Sequence, residues 1–119
     1  MRKAYRVKSE SDFQHVFDQG RSVANRQFVI YWLKKAQQPH FRVGISVSKR
    51  LGNAVTRNHV KRKIRQAILE CDQQQRLIHE VDFIVIARQP AVTMSVDECK
   101  KSLLHVLNLA QLIIQPERN

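Results

Sequence analysis

The stretch from Lys49 to Arg65 reads KRLGNAVTRNHVKRKIR, with seven Lys or Arg residues and no acidic residue. It opens with a turn-like triplet, Leu51-Gly52-Asn53, in which the glycine supplies the backbone freedom that a turn needs. Asn53 can cap a helix, because its side chain can accept a hydrogen bond from a free backbone N–H one turn further on. The stretch therefore predicts a turn followed by a strongly basic helix.

The predicted helix has two distinct faces when successive residues are placed about 100° apart. One face has the apolar spacing of a helix packed on a core, with Val60, Ile64, Ala67, Ile68 and Cys71. The opposite face is polar and basic, with Asn58, Lys61, Arg62 and Arg65. Arg57 and Lys63 lie at the edges of the two faces, where their long side chains can extend so that the charges are in water. Like charges one turn apart repel, so a helix selected for stability alone would intersperse Glu. The pattern favours a phosphate-binding surface over a merely solvated face.

The composition bounds the class of protein. A chain of 119 residues, 43% of them hydrophobic, is large enough for one domain with a single core. The net charge of +11 makes nucleic acid and anionic membrane the two obvious partners. No apolar run approaches the ~20 residues of a membrane span, and the N-terminus lacks the apolar run of a signal peptide. We therefore expect a cytoplasmic protein.

The periodicity predicts seven elements in the order α-β-β-β-α-β-α, which is a single-domain α+β fold spanning residues 1–119. A helix runs from Ser9 to about Gln19, and strands follow at residues 21–25, 27–33 and 41–48. After the basic helix come a strand at residues 82–88 and a final helix, which Ser95 and Glu98 begin as a capping box.

The connections between these elements predict their pairing. A polar turn at residues 34–40 favours a hairpin between the second and third strands. The basic helix separates the third and fourth strands, so we expect those two to be parallel. Residues 1–8 are predicted to be a flexible basic arm, and residues 115–119 a disordered tail.

Aromatic residues supply a second candidate site. Phe13 and Phe17 lie one turn apart on the first helix, and Tyr31 lies on the second strand. The phenylalanine rings could belong to the core, or they could line a groove and stack on unpaired bases. The sequence leaves both alternatives open.

Catalytic residues are not evident in the sequence. Ten carboxylates are dispersed along the chain, and a protein-bound metal nuclease needs a converging set of them. Cys71 and Cys99 fall on apolar helix faces and are expected to be small buried hydrophobes, without the His spacing of a zinc site. We therefore expect no metal or cofactor bound by the protein and no hydrolysis by the protein alone.

The basic stretch resembles the RNR motif of the bacterial ribonuclease P protein component. The matching pattern comprises Ala54-Val55, Arg57-Asn58, Lys61-Arg62 and Arg65, preceded by Ser48-Lys49 and Gly52-Asn53. The resemblance extends over residues 13–91 and includes the segment VANRQF at residues 23–28 and the triplet RVG at residues 42–44. It implies an α/β sandwich with a left-handed βαβ crossover, where the general rule would predict a right-handed one.

The resemblance also implies a function. The protein would assist the catalytic RNA subunit of ribonuclease P, which requires Mg²⁺, in removing the 5′ leader of precursor tRNA. It would do so as a monomer on each RNA. Contacts to the RNA subunit would come from the residues of the basic stretch, namely Lys49, Arg50, Asn53, Arg57, Asn58, Lys61, Arg62 and Arg65. Phe13, Phe17 and Tyr31 would line the cleft that holds the single-stranded leader.

Two other classes of function remain open from the sequence. A structural RNA-binding protein of the ribosomal type would use the same basic helix but would not need an aromatic cleft. A membrane-surface protein would need exposed large apolar residues opposite the charges, whereas here that stripe is expected in the core.

Overall fold

A computed structural model describes residues 3–74 and 76–114. The helices are α1 (Glu10–Gln19), α2 (Ala54–Gln73) and α3 (Val96–Leu109), and the strands are β1 (Arg21–Ala24), β2 (Phe28–Lys34), β3 (Arg42–Ser46) and β4 (Val81–Ala87). Short 3₁₀ turns occur at Lys3–Tyr5, Lys49–Leu51 and Gln89–Ala91. The predicted α+β class and the order α-β-β-β-α-β-α are confirmed.

The four strands form one sheet in the order β1-β2-β4-β3. The predicted hairpin between β2 and β3 is wrong, because β4 lies between them, antiparallel to β2 and parallel to β3. Apart from Asp82, the sequence VDFIVIA of β4 is apolar on both faces, and the strand is almost wholly buried, which suits the centre of a sheet. The predicted parallel pairing across the basic helix is confirmed, and the left-handed sense of this crossover stays a prediction.

The sheet lies between α1 on one face and the pair α2 and α3 on the other. Alternate β2 residues show this: Phe28 and Ile30 are fully buried in the core that includes α2 and α3, whereas Tyr31 points towards α1 and contacts Phe17. Strand geometry requires this alternation of faces. We call the two sides the core face and the α1 face.

The predicted helix starts are confirmed by their hydrogen bonds. The Ser9 side chain accepts from the backbone N–H of Asp12 at the start of α1. Ser95 and Glu98 form the expected capping box at the start of α3. These side chains satisfy backbone donors that would otherwise lack partners at a helix N-terminus.

Part of the segment that was expected to be a flexible basic arm is packed against the domain. The ring of Tyr5 stacks on His40 with a centroid separation of 3.9 Å. Val7 is buried and its backbone N–H donates to the carbonyl of Val43 at 3.0 Å, so the segment adds a short bridge to the free edge of β3. Apolar residues within a charged segment explain this docking. Residues 1–2 of that arm and the predicted tail at 115–119 lie outside the described residues.

Within the part of the chain that the structure describes, none of the helices combines the length and the apolar character needed to cross a bilayer.

Candidate nucleic-acid interface

The start of α2 places cations beside a helix N-terminus. Asn53 caps α2, since its side-chain oxygen accepts from the N–H of Thr56 at 2.9 Å. Gly52 has φ +145°, a conformation that a side chain would strain. Lys49 and Arg50 are exposed in the 3₁₀ turn just before this cap. Their charges add to the positive end of the helix dipole, which favours anions. Asn53 therefore acts in this site as the N-cap of α2, as the sequence predicted.

The basic residues of α2 form two rows. The predicted apolar stripe is buried as expected, including Val60 and Ile64. Directly opposite, Asn58 and Arg62 are exposed, and we call them the outer row. An inner row, half-buried and spaced one turn apart along the flank of the helix, consists of Arg57, Lys61 and Arg65. The helix therefore presents its charges over a broad arc.

One side-chain nitrogen in the inner row is left without a partner. Among the described residues, Arg57 Nε is buried and lacks a hydrogen-bond acceptor. Buried polar atoms in proteins are usually satisfied, so such a group needs an explanation. A guanidinium is suited to phosphate oxygens, which it can bind through two parallel hydrogen bonds. An acceptor supplied by a bound RNA would satisfy this atom.

Lys63 does not belong to the interface. The sequence places its charge at the edge of the helix in water, but its Nζ donates to the carbonyl of Met94 at 2.7 Å. Lys63 is half-buried in this position. Its role is to tie α2 to the segment that leads into α3.

Phe17 and Tyr31 are a pair of contacting aromatic side chains on the α1 face. Their rings meet edge to face, with centroids 4.9 Å apart and an interplanar angle of 80°. Both residues are half-buried, whereas Val16, which precedes Phe17 in α1, is fully buried. Val16 is therefore the α1 residue that packs in the interior, and the two rings keep part of their surface exposed to solvent.

A third ring on this face, that of Phe13, lies beside β3. Its ring lies directly over Gly44, where an added Cβ would come within 2.6 Å of two Phe13 ring atoms. Gly44 aligns across the sheet with Ile84, which in turn aligns with Tyr31. The glycine thus creates the space for the ring, and Phe13 is half-buried there. Phe13, Phe17 and Tyr31 are thus three partly exposed rings on the α1 face, and we refer to them together as the aromatic groove.

A shared recess joins the aromatic groove to the basic helix. The recess has a volume of about 150 Å³ beside the edge of β3 and is lined by Arg6, Val7, Phe13, Val43, Gly44, Ile45 and Arg65. Phe13 comes from α1, and Arg65 comes from the inner row of α2. The two groups of residues that the sequence separates therefore meet on one surface. Arg6 was not predicted as a site residue, because the segment carrying it was expected to be a mobile arm.

A buried ion pair holds α1 over this surface. Asp82 is 1% exposed on β4, and Arg42 on β3 donates to it through Nε at 2.9 Å and also through a second nitrogen. Arg42 also lies 3.6 Å from Asp12 on α1. The hydrogen bond to Asp82 raises the pKa of Arg42. A lone Asp in an otherwise apolar strand was the signal in the sequence, but its partner could not be read without the strand register.

Metal-binding groups and reactive cysteines are two other kinds of site that the described residues could form. Among residues 3–74 and 76–114 there is no group of three or more His, Cys, Asp or Glu side chains arranged to hold a metal ion. Cys71 and Cys99 are free and buried, as predicted, and burial raises the pKa of both thiols. A raised thiol pKa disfavours the reactive thiolate.

A one-signed helix face that meets a partly exposed aromatic groove defines a small basic RNA-binding protein of the α+β class. Comparison with known proteins makes the assignment specific. The family model described as Ribonuclease P matches residues 1–111, and the chain belongs to this family.

Its relatives share nearly their whole length with it. The ribonuclease P protein component of Levilactobacillus brevis is 58% identical over 113 residues, which is 95% of this chain and 94% of the relative. A Staphylococcus aureus RNase P protein structure has a TM-score of 0.84 at 49% identity, covering 94% of this chain and all of that one. A Staphylococcus aureus mutant, described as having defective mRNA degradation activity, also has a TM-score of 0.84, at 48% identity and with coverage of 94% and 92%.

Family membership decides between the functions left open by the sequence. The chain is the protein subunit of ribonuclease P, a ribonucleoprotein endoribonuclease of tRNA processing in which catalysis lies with the RNA. Its partner is the ribonuclease P RNA.

Proposed function

We propose that α2 and the aromatic groove form one continuous surface that binds two RNAs at once. The basic helix takes the RNA subunit, and the aromatic groove takes the single-stranded 5′ leader of precursor tRNA. The observation that carries this proposal is the recess in which Arg65 and Phe13 lie together. A leader that leaves the groove at this recess would pass close to Arg65, which also belongs to the basic helix.

The groove has the chemistry that unpaired RNA requires. Single strands are held by aromatic stacking combined with a cationic track, because every base has a π-face and every linkage carries a charge. Phe17 and Tyr31 supply partly exposed rings. Arg6 and Arg65 supply guanidinium groups at the end of the groove near β3.

The basic helix has the chemistry that folded RNA requires. Proposed contacts to the RNA subunit come from Lys49, Arg50, Asn53, Arg57, Asn58, Lys61, Arg62 and Arg65. The exposed outer row can approach phosphates without rearrangement, whereas the buried Nε of Arg57 would gain an acceptor only if that side chain turned outward. Neutralising phosphates would also ease the approach of two polyanions.

The remaining parts of the proposal concern the assembly. Mg²⁺ serves the RNA subunit, and the protein supplies no ligand to it. One protein binds each RNA, and the complex works in the cytoplasm, where precursor tRNA of a bacterium is made.

The test measures affinity against leader length. Phe17→Ala removes a ring worth about 1–3 kcal/mol in stacking on a base. We expect binding of a precursor tRNA with a leader of several nucleotides to weaken by roughly ten-fold or more, at 1.4 kcal/mol per decade. Binding of mature tRNA should hardly change, since it lacks the leader.

Val16→Ala is the matched control, because Val16 is a fully buried residue of the same helix and has no ring that could stack on a base. It should lower the melting temperature without any dependence on leader length. Equal losses of affinity for leader-bearing and leaderless tRNA in Phe17→Ala would contradict the proposal and assign Phe17 a packing role.

A second measurement addresses catalysis. The protein without RNA subunit should leave precursor tRNA intact, whereas adding the subunit should restore leader removal. Because a Staphylococcus aureus relative is described through its mRNA degradation activity, the protein-only reaction should include an mRNA beside the precursor tRNA. If RNA-free protein removes the leader, and this activity persists after the protein is purified again, the assignment of catalysis to the RNA subunit is contradicted.

A further inference from the structure

A second recess lies on the core face of the sheet, at the edge formed by β1. Its volume is about 430 Å³, within the roughly 300–1,000 Å³ range of ligand-binding pockets. It is lined by Gln19, Gly20, Arg21, Trp32, Leu33, Lys34, Ala110 and Gln111. No carboxylate is among these residues. The basic helix and the aromatic groove contribute none of them.

The strand register brings two cations and an aromatic residue together here. Arg21 on β1 pairs directly with Trp32 on β2, so their side chains are neighbours on one face of the sheet. Lys34 lies two residues further along β2 and therefore projects to the same face. Arg21 and Lys34 are exposed, and Trp32 is only partly buried. The recess thus combines a large ring with two positive charges.

Amide side chains complete the recess. Gln111 follows α3 and has φ 61°, an uncommon left-handed conformation for a residue other than glycine. This conformation ends α3, because the N–H of Gln111 donates to the carbonyl of Asn108 and the N–H of Leu112 donates to that of Leu107, both at 3.0 Å. Gln19 at the end of α1 also lines the recess. Two amides can each donate and accept hydrogen bonds, as base edges require.

Gly20 lies where two backbone segments approach closely in the wall of the recess. A Cβ at this position would lie 2.5 Å from the carbonyl oxygen of Val16 and would also clash with the carbonyl oxygen of Trp32. The glycine therefore lets the end of α1 press directly against β2. This close contact joins α1 to β2 at one side of the recess.

We propose that this recess binds a single unpaired nucleotide, with the base against Trp32 and its phosphate between Arg21 and Lys34. Aromatic stacking and paired cations are the means by which proteins hold unpaired RNA. The site lies on the opposite face of the sheet from Tyr31. It therefore gives the protein an RNA contact separate from the aromatic groove, and it does not depend on how the groove is used.

The chain offers a direct probe of this site, because Trp32 is its only tryptophan. Adenosine 5′-monophosphate is titrated into the full-length protein while tryptophan-selective fluorescence is recorded. A saturable change in Trp32 emission is expected. The Arg21→Ala/Lys34→Ala double variant should weaken the apparent affinity by about ten-fold or more, since each charged hydrogen-bond partner is a substantial part of the binding.

Matched variants separate the site from general charge. Arg26→Ala/Lys101→Ala removes the same two charge types from exposed positions elsewhere and should leave the titration unchanged. Gln66→Ala, at an exposed and uncharged position, should also leave it unchanged. An emission change that survives in Arg21→Ala/Lys34→Ala, or that disappears in Arg26→Ala/Lys101→Ala, would overturn the proposal.

Two further ligands separate the base from the phosphate. Inorganic phosphate alone should bind more weakly than the nucleotide, and adenosine should retain a weak emission change. Phosphate binding as tight as that of the nucleotide would show an anion site without base stacking and would contradict the proposal. A short oligonucleotide that competes with adenosine 5′-monophosphate supports RNA as the source, whereas no competition would contradict it.

Discussion

At the scale of single residues, the buried carboxylate of Asp82 depends on Arg42. Asp82 is 1% exposed, and Arg42 donates two hydrogen bonds to it, while Lys35 lies 4.0 Å away. A buried charge is tolerated when it is paired and hydrogen-bonded, and it becomes costly when its partner is removed. Arg42 also reaches Asp12, next to Phe13 in α1. One side chain therefore secures both the centre of the sheet and the helix above it.

Arg42→Met should accordingly lower the free energy of unfolding by about 3–5 kcal/mol, because it leaves an unpaired buried carboxylate. Lys35 can offset part of this loss. Asp12→Asn is the control, since this pair is longer and partly exposed, and it should cost no more than about 1 kcal/mol. Urea denaturation of both variants gives the comparison.

A double variant sharpens the same test. Arg42→Met/Asp82→Leu removes both charges and should recover much of the stability lost in Arg42→Met, because two apolar groups leave nothing unpaired. If Arg42→Met costs no more than Asp12→Asn, the ion pair is not what holds this part of the sheet.

Residue-level features with local causes were predictable from the sequence. The caps Ser9, Asn53 and Ser95 act within three residues of themselves, so their role follows from the order of residues alone. The pairing of Arg42 with Asp82 spans 40 positions and depends on β3 lying beside β4. No local pattern encodes it. The same holds for the contact of Phe13 with Gly44.

At the scale of elements, α2 divides its surface between packing and charge. Its stripe of Val60, Ile64 and Ile68 is buried, and its outer row is exposed. Helical periodicity predicts this division directly. It does not predict that Lys63 is used to hold Met94, because that contact requires the loop before α3 to be in place. Periodicity gives the face of a residue but not its partner.

Arg62→Ala tests the outer row. If Arg62 neutralises one phosphate of the RNA subunit, its loss should flatten the slope of log K against log salt by about 0.7–0.9. The melting temperature should change little, since the side chain is exposed opposite the buried stripe. Affinity for the RNA subunit at several salt concentrations provides the measurement.

Gln66→Ala is the matched control, being exposed on the same helix but uncharged. It should leave both the slope and the melting temperature unchanged. An unaltered slope in Arg62→Ala together with a large fall in melting temperature would show a structural role for Arg62.

The sheet shows which parts of element pairing the sequence can determine. The parallel relation of β3 and β4 follows from the helix between them, because a crossover returns the chain in the same direction. The position of β4 between β2 and β3 does not follow from adjacency in sequence. The seven-residue segment at 35–41 has no two-residue turn signal, and the burial of nearly every β4 residue marks a central strand.

At the scale of the whole molecule, the net charge of +11 attracts any polyanion, but the fold decides where that charge acts. Lys49 is exposed in the 3₁₀ turn before α2, and Arg62 is exposed in the outer row of α2. Arg26 and Lys101 are also exposed, but they lie on the β1–β2 turn and on α3. The comparison of these two pairs separates the effect of total charge from that of a located surface.

Lys49→Ala/Arg62→Ala should raise the Mg²⁺ concentration needed for precursor-tRNA cleavage by the reconstituted complex, because fewer phosphates of the RNA subunit are neutralised by protein. Arg26→Ala/Lys101→Ala removes two of the eleven net charges as well, and it should leave the Mg²⁺ requirement close to that of the unaltered protein. Cleavage rates over a Mg²⁺ titration, at fixed ionic strength, measure both variants. Equal shifts in the two variants would mean that total charge governs the effect, and the assignment of α2 to the RNA subunit would then lose its support.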